Sequence, residues 1–197
     1  MFQLPNMLTV LRILLVPVFA LALMLPGETG RLSSFAVFCL AGASDALDGL
    51  AARKLRASSE FGRMLDPIAD KILVAVALMM LVARGVLVGI ELIPALVILA
   101  REILVSGLRE FLATASVSVP VTRVAKMKTV LQMISIGAMI LGPIADKIVP
   151  GALDFAYALL WIAASLTVYT GFAYLQAGLA HLRAGQPAPN ARPGGSG

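Results

Sequence analysis

Six long apolar stretches alternate with short polar segments along the chain, and Pro, Gly or charged residues stand at the breaks between them. Each stretch has about 20 residues or more, the length that an α-helix needs to cross the hydrocarbon core of a bilayer. The stretches cover residues 7–25, 33–55, 62–83, 91–115, 122–141 and 151–182. This pattern predicts an all-α integral membrane protein, built as a bundle of six transmembrane helices.

The chain is predicted to form one membrane domain followed by a tail. Residues 1–184 hold the six predicted spans, whereas residues 185–197 are rich in Pro and Gly and carry no large apolar side chain. Because such a composition cannot bury enough apolar surface to offset the entropy of ordering, we expect this tail to be disordered.

The composition excludes two other classes of protein. Of the 197 residues, 59% are apolar and 14% are charged, against about 45–50% and 25% in a soluble domain. Intrinsic disorder requires the opposite balance. Cys39 is the one cysteine, which rules out an intramolecular disulfide and a cysteine metal cluster. In a membrane protein, the net charge of +5 indicates basic loops and contact with anionic lipid, so we expect no nucleic-acid partner.

The basic residues also predict the orientation. Those on one side of the predicted bundle are Arg53, Lys54, Arg56, Arg63, Arg123, Lys126, Lys128, Arg183 and Arg192, and those on the other side are Arg31, Arg84 and Lys147. Because cytoplasmic loops carry the excess of Lys and Arg, both termini are predicted to lie in the cytoplasm.

The acidic residues are the most informative feature. Of the eleven Asp and Glu residues, six lie four or more residues inside a predicted span, namely Asp45, Asp48, Asp66, Asp70, Glu102 and Glu110. A charge at the centre of a bilayer costs about 2.5–3.5 kcal/mol on insertion scales. The chain must therefore offset these charges with cations, metal ions or a water-filled cavity.

The spacing of the four aspartates indicates a shared site. Asp45 and Asp48 are three residues apart, and Asp66 and Asp70 are four apart, so each pair lies on one face of its helix. Both pairs flank the same short basic loop, which places the four carboxylates near the cytoplasmic surface. Oxygen ligands of this kind favour Mg²⁺ or Mn²⁺. Pro67 is expected to bend the third span.

The segment DALDGLAARKLRASSEFGRMLDPIAD resembles the signature D-x2-D-G-x2-A-R-x8-G-x3-D-x3-D of the CDP-alcohol phosphotransferases. All eight fixed positions match, filled by Asp45, Asp48, Gly49, Ala52, Arg53, Gly62, Asp66 and Asp70. The segments PNMLTVLR, AREILVSGLRE and KMKT resemble the branch of the family that uses glycerol 3-phosphate as acceptor.

The resemblance implies a reaction and a set of site residues. Two metal ions, Mg²⁺ or Mn²⁺, would be held by Asp45, Asp48 and Asp66, with Asp70 on the second ion. Asp70 would also act as general base, so that the 1-hydroxyl of sn-glycerol 3-phosphate attacks the β-phosphorus of CDP-diacylglycerol and CMP leaves. The residues implied to contact CDP-diacylglycerol are Gly49, Arg53, Ser59, Asn6, Thr9 and Arg12. The implied location is the bacterial inner membrane, with the active site facing the cytoplasm, and a homodimer is the implied candidate assembly.

The fourth span carries a second anomaly. Arg101, Glu102 and Arg109 fall within an arc of about 100° on an ideal helix, and Arg101 lies about 15 Å along the span from Glu91. With Lys126 and Lys128 of the next loop, Arg101 and Arg109 are predicted to bind the phosphate of the acceptor. The alternative is that Arg and Glu pair with each other and hold the helices together.

Other interpretations remain at this point. Lys71 either serves the acceptor pocket or balances a neighbouring acid. The acceptor could instead be inositol phosphate, or phosphatidylglycerol as in cardiolipin synthesis. Acids inside a membrane also mark ion-coupled transporters, although these carboxylates cluster near one face of the membrane. A purely structural membrane scaffold is the third alternative.

Overall fold

The computed structural model of the protein describes residues 4–55, 60–114 and 123–184, and within these it leaves aside the side chains of residues 4–8, 45–55, 60–67, 70, 123, 177 and 181–184. Over this part of the chain the structure consists of helices and short connections, with no β-strand. The helices are α1 (Leu4–Met24), α2 (Gly27–Leu55), α3 (Glu60–Ala83), α4 (Leu92–Thr114), α5 (Arg123–Ala145) and α6 (Ala152–Ala184), and a short 3₁₀ helix (Gly89–Glu91) precedes α4. The predicted tail, residues 185–197, lies outside the described residues.

Each predicted span corresponds to one helix, and two helix ends differ from the predicted ends by four residues or more. Helix α2 begins at Gly27, six residues before the predicted start, because Gly27 takes a φ of +75° and reverses the chain within a two-residue connection. The predicted stop of the fifth span at residue 141 was wrong, since α5 continues through Pro143 to Ala145. A proline two residues from the end of a helix removes a single backbone hydrogen bond, which the last turn tolerates. Helix α3 runs unbroken through Pro67.

The helices are consistent with a membrane protein. Among the described residues, two segments are long and apolar enough to cross a bilayer, Val124–Ala145 of α5 and Ala152–Ala180 of α6. Shorter apolar segments lie in α1 and α3, at Thr9–Met24 and Lys71–Ala83. Large apolar side chains such as Leu21, Met79 and Phe172 are exposed on the outside of the bundle, where lipid would cover them.

The interior divides along the length of the helices into an apolar half and a polar half. The apolar half comprises residues 16–24, 27–41, 73–83, 92–98, 136–145 and 152–164, and the polar half comprises residues 4–12, 44–55, 60–71, 101–114, 123–132 and 167–184. Large buried side chains such as Phe19, Leu81 and Ile140 fill the apolar half. The rings of Phe19 and Phe38 pack there with their centroids 5.9 Å apart.

The polar half contains most of the buried polar side chains. These are Thr9, Arg12, Ser44, Lys128, Gln132, Thr167 and Thr170. Helix α1 packs against both α2 and α3, α5 packs against α2 and α6, and α4 packs against α6. Because consecutive helices alternate in direction, the end of α2 and the starts of α3 and α5 come to the same end of the bundle, and the candidate site lies there.

Candidate active site

The backbone places the two aspartate pairs at the polar end of the bundle. Asp48 lies seven residues before Leu55, the end of α2, and Asp66 lies six residues after Glu60, the start of α3. At 1.5 Å per residue, both lie about 10 Å from the helix ends that a four-residue connection joins. Asp45 and Asp70 are one turn deeper in their helices. The placement of α2 and α3 therefore supports a common depth for the two pairs.

Several predicted site residues fall where the structure gives only the backbone. Asn6, Asp45, Asp48, Gly49, Arg53, Asp66 and Asp70 lie in described helices, but their side chains lie outside the description, and Ser59 lies outside the described residues altogether. Among the side chains that are described, no three His, Cys, Asp or Glu residues come together as a metal site. The donor chemistry of four carboxylates, on two helices that one short connection joins, fits a hard divalent cation.

Arg12 brings a buried positive charge next to the aspartate segment of α2. Its side chain is 1% exposed, and its Nε lies 3.5 Å from the hydroxyl of Ser44, which immediately precedes Asp45. The Ser44 hydroxyl donates to the carbonyl of Ala41 at 2.7 Å, so its lone pairs face Arg12. Thr9, three residues earlier on α1, is also 1% exposed. A permanently charged guanidinium is buried only where an anion or several acceptors stabilise it.

A second charged cluster surrounds Glu102. One carboxylate oxygen of Glu102 accepts from Arg101 Nη1 at 3.2 Å and also pairs with the ammonium of Lys128. The side chains of Lys128, Arg101 and Glu102 are 5%, 13% and 16% exposed, so the cluster lies largely inside the bundle. We call Arg101, Glu102 and Lys128 the Glu102 cluster. The Lys128–Glu102 pair joins α4 to α5, whereas the Arg101–Glu102 pair lies within α4.

A small polar cavity connects the Glu102 cluster to the aspartate segment of α3. The cavity has a volume of about 10 Å³ and is lined by Glu102, Lys128, Gln132 and Lys71, among others. That volume corresponds to about one water molecule. Lys71 immediately follows Asp70 on α3. The Glu102 cluster therefore lies beside the helix segment that carries Asp66 and Asp70.

The four cations predicted to bind the acceptor phosphate separate into two pairs. Arg101 and Lys128 converge on Glu102, whereas Arg109 and Lys126 are exposed. Arg109 lies eight residues beyond Arg101, about 12 Å along α4. It lies towards the end of the bundle where α2 ends and α3 starts, which we call the open end. Lys126 lies in the first turn of α5 at the same end, and the prediction that Lys126 and Lys128 belong to a loop was wrong, since α5 begins at Arg123.

Sequence reasoning missed three polar side chains of the site. Ser44 contacts Arg12, Gln132 lines the small cavity, and Thr170 accepts a hydrogen bond from Arg101 at 2.9 Å. Gln132 follows Lys128 by four residues, and this spacing on one helix face was a usable signal. Ser and Thr gave none, because inside helices they commonly bond to their own backbone.

An apolar groove runs along the outside of the bundle between α2 and α5. It has a volume of about 640 Å³ and extends from Gly42 and Thr129 to Phe35 and Leu141. Its polar end begins one turn before Asp45, and its length along α5 is about 18 Å. The groove therefore leads from the aspartate segment of α2 into the apolar half.

Comparison with known proteins identifies the family of this chain. The family model described as CDP-alcohol phosphatidyltransferase matches residues 2–169. A protein of Rickettsia felis named CDP-diacylglycerol–glycerol-3-phosphate 3-phosphatidyltransferase is 46% identical over 176 residues, which are 89% of this chain and 94% of that protein. Proteins of the same name are 41% identical in Pseudomonas fluorescens, covering 92% of each chain, and 37% identical in Escherichia coli, covering 92% of this chain and 97% of that protein. The chain belongs to the CDP-alcohol phosphatidyltransferase family.

Proposed function

We propose that this protein transfers the phosphatidyl group of CDP-diacylglycerol to sn-glycerol 3-phosphate, giving phosphatidylglycerophosphate and CMP. Its relatives with this name match it over nearly their whole length. The observation that carries the proposal is the small cavity that Lys71, next to Asp70 on α3, lines together with Glu102 and Lys128. Such a site has acids for metal ions and a base, and cations for a phosphate.

The six helices are proposed to span the bacterial inner membrane, with both termini and the polar half on the cytoplasmic side. The basic residues in and beside the α2–α3 connection and in the first two turns of α5 support this orientation. A soluble acceptor and a lipid donor then meet at the membrane surface.

The aspartates are proposed to hold two divalent ions, Mg²⁺ or Mn²⁺. Asp45, Asp48 and Asp66 would supply most of the ligands, with Asp70 contributing to the second ion. When bound, such ions would neutralise the charge that develops on the diphosphate during transfer. On the protein side, Gly49 leaves room beside the carboxylates, and Arg53 and Arg12 bring positive charge to the diphosphate. Asn6, Thr9 and Ser59 complete the proposed contacts with CDP-diacylglycerol.

Asp70 is proposed as the general base. Its carboxylate would take the proton of the 1-hydroxyl of glycerol 3-phosphate as that oxygen bonds to the β-phosphorus. The bond from this phosphorus to the oxygen of CMP breaks in the same step, and CMP leaves with the electron pair. Because little covalent chemistry is required of the protein, positioning and electrostatics supply most of the rate.

The acceptor phosphate is proposed to bind to Arg109 and Lys126 at the open end and to Arg101 and Lys128 inside. Glu102 pairs with both inner cations and offsets one of their two positive charges, so one positive charge remains for the acceptor phosphate. An anionic acceptor offsets this buried positive charge, whereas a neutral acceptor such as serine would not.

One acyl chain of the donor is proposed to lie in the groove between α2 and α5. The groove is apolar, opens outwards through exposed side chains such as Val130 and Ile134, and starts next to the aspartate segment. Its length of about 18 Å is similar to the thickness of one leaflet, about half of a 30 Å hydrocarbon core.

The test is metal-dependent release of CMP by the purified protein in nanodiscs. With CDP-diacylglycerol and Mg²⁺ or Mn²⁺, we expect CMP release when glycerol 3-phosphate is present, and no release in excess chelator. Inositol phosphate, serine and phosphatidylglycerol are offered in parallel, and the phospholipid product is identified by mass. A faster reaction with any of these three acceptors, or full activity in chelator, would overturn the proposal. An ion-coupled transporter would release no CMP at all.

A further inference from the structure

The side chain of Arg101 is held from the side opposite Glu102 by helix α6. Arg101 Nη2 donates to the hydroxyl of Thr170 at 2.9 Å, while Nη1 donates to Glu102 at 3.2 Å. The two ends of one guanidinium are therefore bound to two different helices. Among the described residues, its buried Nε makes no hydrogen bond, so Nη1 and Nη2 are the atoms that fix the orientation of the guanidinium plane.

Thr170 is itself held in one orientation. Its hydroxyl donates its proton to the carbonyl of Leu166 at 2.9 Å, with the carbonyl of Thr167 at 3.2 Å as a second acceptor. Only the oxygen lone pairs then remain for Arg101. Because Thr170 is 5% exposed, water does not compete freely for this oxygen. The Thr170 hydroxyl therefore accepts the hydrogen bond from Arg101 in an environment that is largely shielded from water.

Gly171 allows Arg101 to lie directly on the backbone of α6. A Cβ at this position would stand 3.2 Å from both Cγ and Nε of Arg101, closer than ordinary van der Waals contact. An alanine would displace the arginine stem by a few tenths of an ångström. We call Thr170 and Gly171 the α6 seat of Arg101.

We infer that the α6 seat positions Arg101 for the phosphate of the acceptor, Thr170 by its hydrogen bond and Gly171 by its lack of a side chain. This inference rests on the proposed role of Arg101 in acceptor binding. Both residues lie just beyond residues 2–169, the part matched by the family model. They are positioning residues, since they contact Arg101 rather than substrate. An arginine side chain loses much rotational freedom when it binds a ligand. Contacts that order the side chain before the ligand binds reduce this loss of entropy.

The first experiment compares Thr170→Val with Thr170→Ser in the CMP-release assay. Valine keeps the shape of threonine and removes the acceptor oxygen, whereas serine keeps the oxygen. For Thr170→Val we expect the KM for glycerol 3-phosphate to rise about tenfold, as for loss of a hydrogen bond to a charged group. The KM for CDP-diacylglycerol should change less than about twofold, and Thr170→Ser should restore the wild-type value within about threefold.

A second, matched pair separates positioning from packing. Gly178 lies two turns beyond Gly171 on the same face of α6, and its Cβ would meet Leu108 of α4 at 2.8 Å. Gly171→Ala and Gly178→Ala therefore both crowd the α4–α6 contact, but only the first crowds Arg101. We expect both to lower the melting temperature, and only Gly171→Ala to raise the KM for glycerol 3-phosphate.

Arg101→Gln separates failure of this inference from failure of the proposed function. If Arg101→Gln leaves the KM for glycerol 3-phosphate unchanged, the proposed acceptor role of Arg101 is wrong and the seat has no function to serve. If Arg101→Gln raises this KM while Thr170→Val and Gly171→Ala do not, the acceptor role stands and the inference of the seat is overturned. An equal rise of both substrates' KM values in Thr170→Val and Gly178→Ala would assign the effect to packing and also overturn it. Gly171→Ala provides the decisive KM value if Thr170→Val does not fold.

Discussion

The apolar and polar halves of the bundle differ in what holds their helices together. In the apolar half, side chains such as Phe19, Leu81 and Ile140 fill the interior, and the buried hydroxyl of Ser34 bonds to the carbonyl of Arg31 in its own helix. In the polar half, helices are joined by charged and polar contacts, Arg12 with Ser44 and Lys128 with Glu102. The first half is therefore most sensitive to changes in buried volume, and the second half is most sensitive to changes in buried charge.

This difference separates stability from activity. A change in the packed interior of the apolar half should lower the free energy of unfolding and leave the kinetics of the folded enzyme intact. A change of a buried charged side chain in the polar half should act on turnover or on KM, because charge placed inside a membrane protein is costly and is kept for function. The following substitutions test this division.

The largest effect is expected for Asp70→Asn in the polar half. The variant loses the proposed base but keeps the shape of the side chain, so turnover should fall by about 10²–10⁴-fold, the usual contribution of general base catalysis. CMP release measures the turnover, and stabilisation by CDP-diacylglycerol in a thermal shift assay should be partly retained.

Asp154→Asn is the matched control for Asp70→Asn, because Asp154 is an exposed acid at the start of α6 in the apolar half. It should be as active as the wild type. Equal activity of Asp70→Asn and the wild type would refute Asp70 as the base, and a large loss in Asp154→Asn would refute the division between the halves.

The six helices of the described residues were predictable from the sequence, because each corresponds to one apolar stretch. The spacing of the aspartates was likewise sufficient to indicate the family. Arg101, Glu102 and Arg109 show where such reasoning ends. Their common arc on α4 was predicted, yet Arg101 and Glu102 are largely buried while Arg109 is exposed. The position of a residue on this arc gives only its angle around α4. Its burial depends on whether a neighbouring helix packs against that part of α4. For the same reason the contact of Arg101 with Thr170, 69 residues away in the sequence, had no local signal.

Phe19→Ala should cause the next largest effect, this time in the apolar half. Phe19 is 0% exposed and packs against Phe38. Removing a buried phenyl ring leaves a cavity and should destabilise the fold by about 3 kcal/mol, at the low end for such changes because lipid replaces water outside the bundle. Reversible unfolding in mixed micelles measures this loss, while both KM values of the folded enzyme should stay within about twofold of wild type if the halves are independent.

Val18→Ala is the control, because Val18 is the adjacent residue and its side chain is 47% exposed. It should barely change the free energy of unfolding. If Phe19→Ala raised the KM for glycerol 3-phosphate as strongly as a substitution of Arg101, the two halves would be coupled and the comparison would fail.

Glu102→Gln should have a smaller, mixed effect. The variant removes the negative charge shared by Arg101 and Lys128, and loss of one partner from a fully buried pair costs about 3–5 kcal/mol. Since Glu102 is 16% exposed, we expect a destabilisation of about 1–2 kcal/mol. Glycerol 3-phosphate should then raise the melting temperature of the variant more than that of the wild type, because its phosphate supplies the missing negative charge.

Glu110→Gln tests whether the location of the acid on α4 is what matters, since Glu110 is exposed. It should change neither the melting temperature nor its response to glycerol 3-phosphate. If Glu102→Gln behaved in the same way as Glu110→Gln, the charge of Glu102 would have no role in stability or in acceptor binding.

The smallest effect is expected for Ala138→Trp, which narrows the groove that crosses from the polar into the apolar half. Ala138 lines the groove on α5, and an indole there would occupy the space proposed for an acyl chain. The KM for long-chain CDP-diacylglycerol should rise about threefold, a loss of under 1 kcal/mol. The KM for a short-chain donor should stay unchanged, since a short chain ends before this point.

Leu21→Trp places the same indole on the lipid-facing side of α1, where Leu21 is 65% exposed and lies outside the groove. It should leave both donor KM values unchanged. The comparison of chain lengths is decisive because general damage to the fold would affect both donors equally. If Ala138→Trp raised the KM for both donors to the same extent, the groove would not hold the acyl chain, and the apolar half would serve stability alone.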